Sequence, residues 1–311
     1  MPTILQTLEA AKLIHPPAWL STNVCYLTQA GSVAYGTNTA DSDVDVYGVC
    51  IPPRDMVFPH LAGAVPGFDK VQNFDQFQAH HIKDPSGKDK EYDFQVFGIV
   101  KFFRLLMENN PNVIDAIYTP QFCVMQLTRV GEMIRQRRDL FLHKGSWWKF
   151  KGYAYSQLHK MTTKNPKEGS VREGIRNEFG FDVKFAAHVV RLLYEVEMIL
   201  GEGTLDLQRN REHLKSIRRG EIPEADIRKW ASEKETHLER LYESSSLRKF
   251  PDEPAVKQLL LDCLEHHFGD LSTAVRMPGL EEAVLAQIAS AVHDYERKKS
   301  IKPVDKTEDA V

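Results

Sequence analysis

A glycine–serine pair and two closely spaced aspartates lie within one short stretch of this chain. Gly31 and Ser32 are followed by ten residues and then by Asp43 and Asp45, each of which precedes a valine. Because side chains alternate between the two faces of a β-strand, both aspartates point to one face and both valines to the core. Neighbouring carboxylates repel each other unless a cation lies between them. The stretch therefore predicts a strand that holds a cation next to a glycine turn.

This combination of groups suits phosphoryl or nucleotidyl transfer. Carboxylates in such sites hold two metal ions roughly 3.5–4 Å apart on either side of the reacting phosphorus. A glycine turn lets the backbone approach a phosphate closely and exposes N–H groups to it. An Asp-x-Asp sequence alone is also common in solvated turns. Its spacing from the glycine–serine pair and the apolar alternation after it favour a functional site.

Other motif classes find no support in the sequence. The segment that begins at Asp41 opens like an EF-hand loop, but its sixth residue is Val46 rather than glycine and its twelfth is Pro52 rather than glutamate. The chain contains neither the P-loop motif nor the Gly-x-Gly-x-x-Gly of a dinucleotide site. The adjacent histidine pairs at 80–81 and 266–267 do not predict a metal site, because neighbouring residues point in different directions.

The composition is that of an ordinary globular protein, with 42% hydrophobic and 27% charged residues. A length of 311 residues favours two domains. The apolar stretches are shorter than a membrane span, and the N-terminus lacks the pattern of a signal peptide. The four cysteines include no Cys-x-x-Cys pair, which is typical of reduced thiols. We expect a cytoplasmic protein with no membrane partner, and the sequence predicts no oligomeric state.

The charge distribution separates an acidic segment from a basic one. Residues 1–93 contain six Lys or Arg and eleven Asp or Glu, whereas residues 129–176 contain twelve and four. An acidic segment suits metal binding, and a basic one suits a polyanionic substrate. Aromatic residues alternate with lysines over 144–155. They form either a packed helix face or a platform that binds a nucleic acid through phosphate contacts and base stacking.

The hydrophobic pattern predicts a mixed α/β region followed by helices. We expect strands at 24–29, 43–51 and 92–97, long loops over 54–89 with one short strand at 71–77, and a helix stop at 109–111. Helices are predicted at 5–13, 98–109, 130–142, 147–162, 181–200, 206–218, 224–244, 254–268 and 280–298. The predicted domains are a catalytic α/β domain over 1–125, a helical domain over 126–300 and a disordered tail over 301–311.

The spacing of the glycine–serine pair and the aspartates resembles the signature of the DNA polymerase β-like nucleotidyltransferase superfamily. The branch to which the chain is most similar is that of the predicted nucleotidyltransferases associated with RNA ligases, over about residues 22 to 260. The motifs that extend this resemblance are Gly31-Ser32-Val33-Ala34-Tyr35-Gly36-Thr37, Asn110-Pro111-Asn112-Val113-Ile114-Asp115, Phe181-Asp182-Val183-Lys184 and Ile217-Arg218-Arg219-Gly220-Glu221. The resemblance implies a mixed sheet in the first domain and a helical domain that completes the cleft.

The resemblance also implies a third carboxylate on a neighbouring strand. Glu91 and Asp93 compete for this role, and Asp93 is favoured because it starts a stretch that resembles the family's third strand. Asp43 and Asp45 would bridge two ions of Mg²⁺ or Mn²⁺, and Asp93 would bind the ion that activates the attacking hydroxyl.

Five residues are expected to bind the nucleotide. Gly31 and Ser32 would hold the terminal phosphates of an NTP. The spacing of Lys184, His188 and Arg191 places them on one face of a predicted helix. Such a face is commonly just a solvent-exposed basic stripe. The resemblance implies that this helix faces the carboxylates. Lys184 and Arg191 would then contact the triphosphate, and His188 would help to position it.

The predicted function is transfer of a nucleoside monophosphate from an NTP to a hydroxyl acceptor, with release of pyrophosphate. The resemblance favours an RNA end as the acceptor, in RNA repair or processing. The alternatives are transfer to a protein or a small molecule, and a catalytically silent module that binds nucleotides or RNA. A glycosyltransferase is a further alternative, because its Asp-x-Asp also binds a metal and a nucleotide sugar, although it does not need the glycine–serine turn.

Overall fold

The computed structural model describes residues 2–39, 42–71, 73–85, 90–163 and 171–274, together with residues 285, 288–292 and 295. The chain divides into two compact units. The first combines Met1–Pro53 with Asn73–His267, and the second combines Arg54–Gln72 with Phe268–Val311. The predicted division at residue 125 does not coincide with these units and stays a prediction. The predicted tail at 301–311 and most of the predicted helix at 280–298 lie outside the described residues.

Five strands form one mixed sheet in the first unit. They are β1 (Val24–Gln29), β2 (Val44–Cys50), β3 (Gln76–Lys83), β4 (Glu91–Gly98) and β5 (Val124–Leu127). Their order across the sheet is β3-β4-β2-β1-β5. β2 and β4 run parallel, whereas the other neighbours are antiparallel. The mixed sheet predicted from the sequence is therefore confirmed.

Helices make up most of the remaining described structure. They are α1 (Ile4–Ala10), α2 (Leu20–Asn23), α3 (Gly31–Ala34), α4 (Arg54–Val57), α5 (Ile99–Met107), α6 (Pro111–Tyr118), α7 (Arg129–Gln136), α8 (Ser146–Thr163), α9 (Val171–Phe179), α10 (Val183–Glu202), α11 (Arg211–Arg218), α12 (Glu224–Ser244), α13 (Glu253–Phe268) and α14 (Leu271–Ala274). The predicted helical C-terminal region is confirmed. In the part of the chain described here, no helix is both long and apolar enough to cross a membrane.

The core on one face of the sheet decides which side chains face away from it. Val44 and Val46 of β2 are buried in a cluster with Leu5 and Leu8 of α1. Because side chains alternate along a strand, Asp45 points to the opposite face of the sheet. Burial of the valines thus fixes the register of β2 and the side on which its carboxylate lies.

Helix α10 forms the centre of the helical region and packs against α8, α11 and α12. It starts at Asp182, whose carboxylate accepts hydrogen bonds from the N–H groups of Lys184 at 2.9 Å and Phe185 at 3.2 Å. It ends at Gly203, which has a φ of +67°. An acidic N-cap and a left-handed glycine are the usual ends of a helix. Between them, one face of α10 is buried against Leu214 and Ile217 of α11.

One prediction about the region between β2 and α7 was wrong in its bounds, and another was confirmed but incomplete, since α5 ends at Met107, before the predicted stop. The strand expected at 71–77 is Gln76–Lys83, an edge strand without any fully buried residue. Its apolar residues Phe77 and Ala79 alternate with polar ones, but the bulge before Ile82 interrupts this short pattern. The stop expected at 109–111 is also a start, because Pro111 occupies the first turn of α6. Proline is favoured there, since its missing N–H has no partner within the helix. The short strand β5 and helix α9 were not predicted.

Two helical glycines test how closely α7 packs on the sheet. A Cβ at Gly131 would lie 2.5 Å from the Cys25 carbonyl oxygen and 2.9 Å from Leu127 Cδ1, whereas one at Gly152 in α8 would meet no atom within 4 Å. We predict that Gly131→Ala lowers the free energy of unfolding by about 1–3 kcal/mol. Gly152→Ala should raise it by about 0.5–1 kcal/mol. Denaturant unfolding monitored by circular dichroism measures both, and equal effects would contradict the packing described.

Candidate active site

Asp45 and Asp93 lie side by side on the two parallel strands of the sheet. They are direct partners in the register of β2 and β4, so their side chains emerge on the same face. Asp43 lies one residue before β2. Burial, together with the negative charges of Asp93 and Asp43, raises the pKa of Asp45 to about 6. Asp43 and Asp93 are therefore close enough to oppose the ionisation of Asp45, which is the electrostatic condition that a cation relieves.

The glycine–serine turn is built directly against Asp45. Gly31 has a φ of +61°, and a Cβ on it would collide with Asp45 Oδ2 and lie 3.0 Å from the carboxyl carbon. The N–H of Ala30 donates to the backbone carbonyl of Asp45 at 2.8 Å, which ties the end of β1 to the start of β2. Ser32 follows in the short helix α3. Only glycine fits both the backbone conformation and the space at position 31.

A bulge in β3 contacts Asp93. The register of β3 with β4 shifts between Ala79 and Ile82, and His81 there has a φ of +56°. The His81 N–H donates to Asp93 Oδ1 at 2.8 Å, and His80 Nδ1 lies 3.6 Å from the same oxygen. Bulges often re-aim side chains beside active sites. The histidine pair that the sequence left unassigned thus lies against the acidic end of β4.

Glu91 has a different partner from Asp93. Its Oε2 atom lies 2.9 Å from His81 Nδ1, on the exposed edge of the sheet. In the strand register, Asp93 is the residue directly opposite Asp45. Asp93 is therefore the residue of the two that lies next to Asp45, and its role as the third carboxylate stays a prediction.

Helices α10 and α11 supply the other wall of a cleft above these strands. The cleft has a volume of about 730 Å³. It is lined by Gly31, Ser32, Tyr35, Thr37, Thr39, Ser42, Asp43, Asp45, Lys184, Ala187, His188, Arg191, Leu214 and Arg218. The structure thus brings together all the predicted site residues except Asp93, which lies beside Asp45 outside this lining. One wall carries carboxylates and the other carries cations, an arrangement that suits a polyanion bound with a metal ion.

Two arginines on the basic wall have partners within the protein. Arg191 is 6% exposed, and its guanidinium forms ion pairs with Asp115 and Glu195. Arg218 Nη1 donates to the carbonyl oxygen of Thr37 at 2.8 Å and to its hydroxyl at 3.1 Å. Burial lowers the pKa of Arg218. Arg218 belongs to one of the motifs of the family resemblance, but it was not predicted as a site residue. Nothing in the sequence indicates that α11 contacts the segment that follows the glycine–serine turn.

The carboxylates do not form a closed cage for a metal ion. Over the described ranges, no group of three or more His, Cys, Asp or Glu side chains is arranged to hold a metal ion. Mg²⁺ in phosphate-transfer sites is usually bound by one or two carboxylates, water and substrate phosphates. Paired carboxylates at the edge of an open cleft fit this kind of shared site. They do not fit a structural metal centre, which needs four protein ligands.

A mixed sheet that carries paired aspartates beside a glycine–serine turn defines a polymerase β-like nucleotidyltransferase. The model of the RlaP family, described as the RNA repair pathway DNA polymerase beta family, matches residues 3–262. This match covers most of the chain, and the chain belongs to that family. The superfamily expected from the sequence is thereby confirmed.

Two further proteins are similar to this chain at a lower level. An uncharacterized 38.9 kDa protein from the nrdC-mobD intergenic region of Enterobacteria phage T4 is 24% identical over 151 residues, which are 47% of this chain and 41% of that protein. The chain thus matches less than half the length of that relative. A nucleotidyltransferase-like protein from Exiguobacterium sibiricum 255-15 aligns over 84% of this chain and 71% of its own, with 13% identity and a TM-score of 0.27. That degree of structural similarity supports no inference.

The contact between the turn and Asp45 gives a direct test of the site. We predict that Gly31→Ala displaces the Asp45 carboxylate, because the added Cβ would occupy the position of that carboxylate. The alanine would also have to adopt a left-handed backbone conformation, which is unfavourable for it. Nucleotidyl transfer should fall by roughly 10²-fold, as expected for a displacement of about 1 Å at a reacting centre. Gly63→Ala is the control, since Gly63 also has a positive φ but has open space around it. Equal activity of the two variants would contradict this geometry.

The raised pKa of Asp45 predicts a pH dependence of stability in the metal-free protein. An unfolded aspartate titrates near pH 4, whereas Asp45 in the folded protein has a pKa of about 6. Between these values the folded state binds more protons, so stability falls as the pH rises from about 4 to 6. Asp45→Asn should remove this loss and be more stable at pH 7 by about 2–3 kcal/mol. Unfolding in EDTA across this range measures it, and parallel curves would contradict it.

Proposed function

We propose that the protein transfers a nucleoside monophosphate from an NTP to a hydroxyl group at an RNA end and releases pyrophosphate. The observation that carries this proposal is the contact of Gly31 with Asp45, whose strand partner is Asp93. A turn that can receive phosphates and carboxylates that can share a cation with them are adjacent in one cleft. Membership of an RNA repair family supports the RNA acceptor. We expect such an enzyme to act in the cytoplasm.

The carboxylates would hold the divalent cations. Asp43 and Asp45, together with Asp93, would hold the Mg²⁺ or Mn²⁺ ions jointly with the substrate phosphates, and the His81 N–H that donates to Asp93 would orient its carboxylate. When bound, these ions neutralise phosphate charge and lower the pKa of the attacking hydroxyl. The high pKa of Asp45 without metal supports this role, because a cation would lower it.

The opposite side of the cleft would bind the triphosphate. Gly31 and Ser32 would contact its terminal phosphates through the backbone and the hydroxyl. Lys184 and His188 of α10 line the same cleft, as does the buried guanidinium of Arg191. In the transfer, the acceptor oxygen bonds to the α-phosphorus, the bond from the α-phosphorus to the bridging oxygen breaks and releases pyrophosphate, and the hydroxyl proton passes to solvent water. The fixed cations of this wall would stabilise the charge that develops on pyrophosphate.

The aromatic residues of α8 are divided between the core and the surface. Trp147 and Phe150 are fully buried, whereas Trp148 is 61% exposed and Tyr155 is 50% exposed. Lys151 pairs with Glu235 at 2.6 Å, so its charge is partly satisfied within the protein. The exposed rings of Trp148 and Tyr155 are accessible for stacking on an RNA base.

The sharpest test incubates the full chain with each NTP labelled at the α-phosphate, Mg²⁺ and an RNA with a free 3′ hydroxyl. We expect label in the RNA and one pyrophosphate for each nucleotide added. Asp45→Asn and Asp93→Asn should each lower kcat by roughly 10²-fold or more, as for other groups that stabilise transition-state charge. Glu91→Gln is the matched control, because Glu91 belongs to the same strand but pairs with His81.

Other outcomes would favour the alternatives. Label in a protein or a small molecule, with none in RNA, would assign the same chemistry to a different acceptor. Nucleotide binding without transfer, unchanged in the Asp43→Asn and Asp45→Asn variants, would indicate a binding module that has no need of its carboxylates. Loss of activity in Glu91→Gln but not in Asp93→Asn would contradict the assignment of the third carboxylate.

A further inference from the structure

A cluster of charged and polar side chains is buried behind the cleft. It consists of Tyr35, Asp115, Arg191 and Glu195, and we call it the buried cluster. Asp115 and Glu195 are each 2% exposed. The four residues come from three separate elements: Tyr35 directly follows α3, Asp115 belongs to α6, and the other two belong to α10. The cluster therefore joins the segment that carries the glycine–serine turn to two helices of the same unit.

Arg191 is the centre of the cluster. Its Nη1 atom donates to Asp115 Oδ2 and, at 2.8 Å and 3.0 Å, to the two carboxylate oxygens of Glu195. The Tyr35 hydroxyl donates to the same Asp115 oxygen at 2.7 Å. The guanidinium carbon also lies 4.2 Å from the centre of the Tyr35 ring. Tyr35 is thus held twice, by its hydroxyl and by its ring, three residues after Ser32.

The cluster also reaches the cleft. Both Tyr35 and Arg191 line it. Arg191 Nη2 lies 3.5 Å from His188 Nδ1, which is on the same wall. Within the described residues, the buried Arg191 Nε has no hydrogen-bond partner. A buried N–H that is left without a partner costs free energy, which is a further sign that this guanidinium is held for its position and not for stability.

Stability does not account for this arrangement. Two carboxylates and one guanidinium are removed from water, and replacement of such groups by apolar side chains often leaves a protein equally or more stable. What the arrangement does provide is a fixed position for a guanidinium and for the segment that follows the glycine–serine turn. Charged groups that are held rigidly stabilise a polyanion without having to reorganise when it binds.

We propose that the buried cluster positions the glycine–serine turn and the Arg191 guanidinium for the polyphosphate of a nucleotide. This inference rests on the proposed function. Arg191 lines the cleft and is the member of the cluster that meets the polyphosphate, whereas Tyr35, Asp115 and Glu195 act through Arg191 and through the turn as positioning residues. Tyr35 and Asp115 lie within motifs that carry the family resemblance, whereas Glu195 lies outside them, and the resemblance assigned no role to any of the three.

The test uses Tyr35→Phe and Asp115→Asn in the full chain, with two measurements. Tyr35→Phe removes one hydroxyl and keeps the ring, so folding is retained even where Asp115→Asn unfolds. Hydrogen exchange of the amides at 31–36 should accelerate at least tenfold in both variants, because the turn loses its anchor. Calorimetric titration with each of the four NTPs and Mg²⁺ should show about tenfold weaker binding. The ratio kcat/KM should fall by up to about 10²-fold, with KM raised.

Glu197→Gln is the control for general damage to α10. Glu197 lies two residues after Glu195 and pairs with Lys234 at 2.6 Å, so its loss perturbs the helix without touching Arg191. Exchange at 31–36 and NTP binding should stay at wild-type values in this variant. The inference is overturned if folded Tyr35→Phe and Asp115→Asn proteins show wild-type exchange, or if they bind NTPs as well as the wild type. A wild-type protein that binds no NTP would instead refute the proposed function, and the exchange measurement would still decide whether the cluster holds the turn.

Discussion

The site depends on one close contact between a glycine and a carboxylate. Gly31 fits against Asp45 because it has no side chain, and its left-handed backbone lets the chain turn there. Asp45 in turn faces the cleft because the valines on either side of it are buried in the core. The same strand register places Asp93 beside it. The alternation of side chains along β2 thus places its valines in the core and its aspartate next to both Gly31 and Asp93.

The carboxylates beside the cleft repel one another when no cation is present. Burial and two neighbouring carboxylates raise the pKa of Asp45 well above that of an ordinary aspartate. The opposite wall of the cleft carries basic side chains from α10 and α11. Neither wall holds a complete set of metal ligands among the described residues. A phosphate-bearing substrate would supply the missing oxygens, so that metal and nucleotide bind together.

The sequence predicted which local segments come together at the cleft, whereas the roles of their residues stay predictions. The glycine–serine pair, both aspartates of the motif, the strands β1, β2 and β4, and the helix of Lys184 all follow from spacing and periodicity. Asp93 could be preferred over Glu91 by resemblance, and the strand register supports that choice. The family was also recognised from these motifs.

The sequence could not predict the parts that depend on distant contacts. His81 reaches Asp93 through a bulge that interrupts the alternation of an edge strand. Arg191 was expected to contact a triphosphate, and its ion pair with Asp115 joins residues 76 positions apart. Arg218 contacts Thr37 across 181 positions. Such pairs are set by how helices pack on the sheet, which spacing along the chain does not encode.

The central claim is that Asp45 and the nucleotide share a divalent cation. Electron paramagnetic resonance of Mn²⁺ measures this directly, in a titration of the full chain with and without an NTP analogue whose α,β-bridge is a methylene group. The account predicts weak Mn²⁺ binding alone, much tighter binding with the analogue, and loss of that gain in Asp45→Asn. Mn²⁺ binding that is equally tight without the analogue, or unchanged in Asp45→Asn, would contradict it.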